Sequence, residues 1–180
     1  MGANGSGVQN LTVNYDRSVD NIAWRPDGKA LVGQVEVEGI LTLVSIDLSG
    51  NVRNLVKDIG GTSLGRPYAA GSFSVASKAG GSSPLIAYTK GSTNRPAEVA
   101  MTRGSGNGRQ LTQLNEDALG HLDLARIEEI KVSSSYDGRE IEAWIALPPG
   151  FRPDGSFPMI LEIHGGPATM YGPYFGAEIQ

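Results

Sequence analysis

Phe157-Pro-Met-Ile-Leu-Glu-Ile-His164-Gly165-Gly166-Pro167 is the stretch whose reading decides the fold of this 180-residue chain. Met159 to Ile163 is an apolar run broken only by Glu162, and its length predicts a buried strand rather than a helix. It runs directly into His-Gly-Gly-Pro, where no helix can continue. Two glycines allow a sharp backbone turn and let a bound group come close to N–H donors. Gly165 and Gly166 are therefore candidate backbone donors, with His164 a candidate for fixing their loop through its imidazole. The same four residues also read as a plain turn that ends a strand.

The flanking sequence favours the first reading. Glu128 to Ser133 and Glu140 to Leu147 are two strand-like runs joined through Ser134-Ser-Tyr-Asp137-Gly138-Arg, and Asp-Gly between such runs is a hairpin signal. Pro148-Pro149-Gly150 stops the second run, and a Pro-rich loop leads into Phe157. A hairpin, a loop, a buried strand and His-Gly-Gly-Pro form the opening order of an α/β-hydrolase sheet. In that fold an HGG-type loop supplies one N–H of the oxyanion hole. Such a donor, aimed where charge develops in acyl transfer, is worth about 3–4 kcal/mol of barrier.

On these residues the chain resembles the prolyl oligopeptidase family of serine peptidases, in its acylaminoacyl-peptidase and dipeptidyl-peptidase-like branch. The resemblance is carried by His164-Gly-Gly-Pro-Ala-Thr-Met-Tyr171-Gly172 and Tyr174-Phe175. Tyr136-Asp-Gly-Arg-Glu, Leu114-Asn-Glu-Asp and Ile59-Gly-Gly-Thr-Ser-Leu-Gly-Arg66-Pro67-Tyr68 add to it. It implies peptide or acyl-peptide substrates, hydrolysis through an acyl-serine, no cofactor, and a β-propeller preceding the hydrolase domain. The expected fold is mainly β. Residues 1–126 would form the last two or so propeller blades, and 127–180 the first strands of an incomplete α/β-hydrolase domain.

The N-terminal two thirds can be read for blades. The first unit runs Asn21-Ile-Ala-Trp24, Pro26-Asp27-Gly28, Lys29 to Val32, Gly39 to Leu48 and Asn51 to Leu55. The second runs Ser72 to Val75, a turn through Lys78 to Pro84, Leu85 to Thr89, Ala97 to Met101 and Arg109 to Leu111. Arg53 and Arg109 are 56 positions apart, and Leu55 and Leu111 repeat that interval. Four short strands per unit with turns at fixed places is a blade pattern, at a spacing a little above the usual ~40–50 residues. The 25 glycines and 10 prolines supply the turns.

Composition narrows the function. A net charge of −4 gives no electrostatic reason to expect nucleic acid or anionic membrane as a partner. Zero cysteines exclude disulfides and thiolate chemistry. No apolar run approaches the ~20 residues of a membrane span, and Met1-Gly-Ala-Asn-Gly-Ser-Gly is not a signal peptide, which reads as cytoplasmic. The sequon Asn10-Leu-Thr12 reads as chance on that basis. With only His121 and His164 available, neither beside a residue at ligand spacing, no metal site is expected.

Three motifs are discounted. Gly61-Thr-Ser63-Leu-Gly65 satisfies the nucleophile-elbow formula, yet Arg66-Pro67 follows it where a helix is required. Glu128 and Glu129 are adjacent in a strand and point to opposite faces, so they read as a solvated edge. Gly104 to Gly108 lacks the Lys-Ser/Thr ending of a phosphate loop. Ala118 to Arg126 reads as a short helix or irregular crossover between the two regions. No nucleophile, acid or base of a triad is identified within the 180 residues, so the expectation is a piece of a longer peptidase, inactive alone. The alternative is a non-catalytic propeller-derived binding or scaffold module.

Overall fold

The structure, a computed structural model, describes residues 4–76, 83–166 and 168–180. Its N-terminal part is two four-stranded antiparallel sheets, each paired in sequence order. The first comprises β1 (Asp20–Trp24), β2 (Ala30–Val37), β3 (Ile40–Asp47) and β4 (Val52–Val56). The second comprises β5 (Phe73–Val75), β6 (Leu85–Ser92), β7 (Arg95–Arg103) and β8 (Arg109–Gln110). A short helix, α1 (Glu116–Leu119), and an irregular crossover lead to the hairpin β9 (Arg126–Ser133) and β10 (Glu140–Leu147). Residues Lys78 to Ser82 of the expected second-unit turn, Pro167 of the His-Gly-Gly-Pro loop and Met1 to Ala3 lie outside the described residues.

The 56-residue interval read from the sequence is a repeat of register. Val44 pairs with Asn54 and Ser45 with Arg53 in the first sheet; Ala100 pairs with Gln110 and Met101 with Arg109 in the second. Each of the four residues of the first sheet has its counterpart 56 positions later. Local turn chemistry sets these registers. Glu38 and Gly39, both at positive φ (49° and 72°), close β2–β3 as a two-residue hairpin whose twist suits the strands. Asp47 closes β3–β4 by accepting from the backbone N–H of Ser49 and Asn51 and from the Asn51 amide.

The core lies between the sheets. Val32, Leu41, Leu43 and Leu55 of the first meet Ile86, Tyr88 and Ala100 of the second, with Val56, Ile59 and Tyr174 completing the cluster. The opposite face of the first sheet, through Val35, Val44 and Ile46, is covered by Leu11, Tyr15 and Val19. Burial on both faces suits the successive apolar residues of Ala30-Leu31-Val32 in β2 and Leu43-Val44 in β3.

The C-terminal third differs. Among the described residues β9 and β10 pair only with each other, with Ile130, Val132 and Ile141 exposed on one face. The expected strand over Met159 to Ile163 is absent: the segment has no ladder, and Ile160 is 90% exposed. A strand exists only where a neighbour satisfies its N–H and C=O groups. Among the described residues none stands beside this run. Apolar composition alone did not create a partner.

Candidate oxyanion-loop site

After the His-Gly-Gly turn the chain crosses back to the two sheets and is stitched to them. Ala69 N–H donates to Met170 O (3.1 Å) and Gly172 N–H to Pro67 O (3.0 Å). Ala177 N–H reaches Leu64 O (2.9 Å) and Glu178 N–H reaches Gly65 O (3.2 Å). Tyr174 enters the core, where its hydroxyl accepts from Leu41 N–H at 2.7 Å; burial pushes its pKa up to about 12, the Leu41 donor opposing. The Trp144 indole of β10 donates to Tyr171 O at 3.2 Å. The Gln180 side chain accepts from Ala125 N–H and donates to Thr93 O. Residues 168–180 thus tie the second hairpin, the crossover and both sheets to one strip.

The His-Gly-Gly loop stands at the head of that strip, exposed. Gly166 has φ +78°, a conformation that L side chains rarely adopt, and Thr169 closes the turn by donating N–H (3.0 Å) and hydroxyl (2.8 Å) to Gly166 O. Gly165 differs: its φ is not positive and a methyl group there would meet nothing within 4 Å. The expectation that both glycines serve the turn therefore holds for Gly166 alone. Neither glycine N–H donates to any of the described residues. His164 Nδ1 lies 3.2 Å from Gly165 O, and its ring stacks on Tyr171 with centroids 4.6 Å apart. Tyr68 abuts Tyr171 edge-on at 4.9 Å.

One cation organises the surroundings. Arg66 Nε sits 2.9 Å from Glu178, and its Nη1 reaches the Tyr171 hydroxyl at 3.2 Å and Glu162 at 3.5 Å. Tyr171 and these two carboxylates hold the Arg66 guanidinium pKa above its ordinary value. Sequence reading missed Arg66 because it belongs to the loop between β4 and β5, about a hundred residues from the residues it touches. The nearest signal was its place inside the stretch that carries the family resemblance.

The discounted motifs fall elsewhere. The Ser63 hydroxyl donates to Arg66 O at 2.7 Å in an irregular loop, with no helix after it. Glu128 pairs with Arg126 at 2.9 Å. Glu129 instead approaches Glu142 across the β9–β10 ladder; burial first, then this like charge, raises the Glu142 carboxyl above its usual range. Carboxylates converge here between strands, not along one. Gly104 to Gly108 connects β7 to β8. Among the described residues no group of three or more His, Cys, Asp or Glu could hold a metal, and no helix is long and apolar enough to cross a membrane.

No family model matches the chain. Curated proteins and solved structures do. Dipeptidyl-peptidase 5 of Arthroderma otae is 31% identical over 170 residues, 92% of this chain and 22% of that protein. The Pyrococcus horikoshii acylaminoacyl peptidase superposes with a TM-score of 0.70 at 27% identity, over 97% of this chain and 24% of its own. The chain is a relative of the prolyl oligopeptidase-family peptidases. The uncharacterized peptidase YuxL of Bacillus subtilis is 31% identical over 87 residues, 48% of this chain and 13% of that protein. An acylaminoacyl peptidase in complex with Z-Gly-Gly-Phe-chloromethyl ketone shares the fold, with a TM-score of 0.71 at 24% identity. Against these prolyl oligopeptidase-family relatives the chain spans about a fifth to a quarter of the length wherever most of it aligns.

Proposed function

We propose that these residues are part of a serine peptidase that hydrolyses peptide or acyl-peptide bonds. In this reading Gly165 and Gly166 present backbone N–H groups to the oxyanion. The observation that carries it is Gly165: neither its backbone angle nor its surroundings require glycine, while its amide has no acceptor among the described residues. A group that must come within hydrogen-bond distance of the backbone accounts for the missing side chain. Kinship to a dipeptidyl-peptidase and an acylaminoacyl peptidase supports the reaction class.

In the reaction the base takes the proton of a serine hydroxyl as the serine oxygen bonds to the scissile carbonyl carbon, and a C=O electron pair moves onto the carbonyl oxygen. The two amides stabilise that charge; its collapse expels the amine, which leaves with that proton from the base. Water, deprotonated by the same base, then attacks the acyl-serine and expels the serine oxygen, which recovers its proton. The nucleophile, acid and base are proposed to lie outside residues 1–180, since Ser63 donates to a carbonyl and lacks an elbow. The four-stranded units with their 56-residue register repeat support assignment to propeller blades over 1–126 that restrict access to the site. Residues 127–180 would begin the hydrolase domain.

Two measurements test this. A fluorophosphonate probe should leave the 180-residue chain unlabelled; labelling at Ser63 would overturn the assignment of the nucleophile elsewhere. In the longer peptidase, Gly165→Ala keeps the N–H but sets a methyl group where the reacting group must approach, so it should keep the melting temperature and lower kcat at least tenfold. An unchanged kcat would remove the glycine amides from the mechanism.

A further inference from the structure

We propose that Arg66 is a positioning residue for the His164–Gly166 loop, a role that rests on the oxyanion reading above. The loop is anchored unequally on its two sides. Downstream, backbone hydrogen bonds from residues 170–178 to the Leu64–Ala69 loop fix its exit whatever side chain stands at position 66. Upstream, the run from Pro158 to Ile163 makes no backbone hydrogen bond to the rest of the described structure, and Arg66–Glu162 (3.5 Å) is its one polar tether there. Glu162 stands two residues before His164. The same guanidinium holds the Tyr171 hydroxyl, and Tyr171 carries the His164 ring on its face. His164 in turn meets Gly165 O through Nδ1. Arg66 therefore holds the loop at its entrance through Glu162 and from beneath through Tyr171 and His164, while Glu178 at 2.9 Å fixes the guanidinium itself.

The chemistry requires arginine. Three acceptors in different directions use a planar fork of five donors, which the single ammonium of lysine cannot reproduce. Each exposed ion pair by itself adds little stability. The function of the set is geometric, because a donor displaced by an ångström loses most of its effect on the developing charge.

The test uses the 180-residue chain and needs no catalysis. Its two histidines make the imidazole spectrum simple. In the wild type, the ring protons of His164 should be displaced upfield from those of the unstacked His121, and the His164–Gly166 amides should give order parameters near the rigid value of about 0.85. Arg66→Met should bring the His164 ring protons to the His121 position and lower those order parameters below about 0.6, while the Leu41 amide that reports Tyr174 docking stays in place. Arg66→Lys should fall between. Should Arg66→Met fail to fold, Glu162→Gln, which cuts only the upstream tether, should lower the order parameters without moving the His164 ring protons. A mobile loop in the wild type, or a loop unaffected by either variant, would overturn the assignment. Because neither readout measures acyl transfer, the oxyanion reading and the role of Arg66 stand or fall separately.

Discussion

The paired sheets over residues 20–110 and the hairpin-plus-loop region over 126–166 are built from the same material and reach opposite states. Both contain short apolar runs separated by glycine and proline turns. In the first, the apolar stripes of the central strands meet others: Leu43 is fully buried between the sheets, and Val44 is covered on the opposite face by the N-terminal segment. In the second, Val132, Ile141 and the run from Met159 to Ile163 stand exposed. Strand formation is thus a property of pairs. Apolar sequence supplies the tendency, and a neighbouring backbone decides the outcome.

That contrast can be broken most severely at Leu43. Leu43→Ala, in the cluster shared by both sheets, should cost about 2–5 kcal/mol of stability in denaturant unfolding. A smaller loss would mean that the two sheets do not share one core.

Glu98 should come next. Burial alone would raise its carboxyl, yet donation from the Thr112 hydroxyl, Leu114 N–H, Asn115 N–H and the Asn115 amide brings it below its ordinary value. It locks β7 to the segment Thr112 to Asn115 that runs into α1. Glu98→Gln should cost about 1–3 kcal/mol near neutral pH. With the folded-state value lowered, the wild-type contribution is complete above the ordinary value of 4.5 and is lost as pH falls through the folded value. Melting curves between pH 6 and 3 should therefore converge for wild type and variant; parallel curves would contradict the lock.

Tyr174→Phe leaves the buried Leu41 N–H without its acceptor and should cost about 1–2 kcal/mol, measured in the same way. At the other extreme, Ile160→Ser should change stability by no more than about 0.5 kcal/mol, since the side chain is already in solvent. A large loss there would show that the run is covered after all.

What the sequence made legible follows the same division. The Pro26-Asp27-Gly28 turn, the Asp137-Gly138 hairpin and the repeat through Arg53 and Arg109 are local signals, and each corresponds to an element in place. The short helix or crossover expected over Ala118 to Arg126 is displaced: the helix is Glu116–Leu119, and the irregular crossover follows it. The buried strand over Met159 to Ile163 was misread because its partner is not a local property. At the candidate site, the glycine loop was visible as a motif, whereas the unequal demands on Gly165 and Gly166 depend on a backbone angle and an open space that composition does not record. Arg66, Tyr171 and Glu178 were hidden by sequence separation: the guanidinium crosses more than ninety residues to reach each of its three partners.

The central claim concerns two N–H groups, and the most direct measurement removes only those. Replacing Gly165 or Gly166 by glycolic acid in the longer peptidase exchanges the N–H for an ester oxygen while adding no side chain. The account predicts a fall in kcat of about 10²–10³ for at least one of the two positions, with KM little changed. Turnover at the wild-type rate with both positions replaced would contradict it.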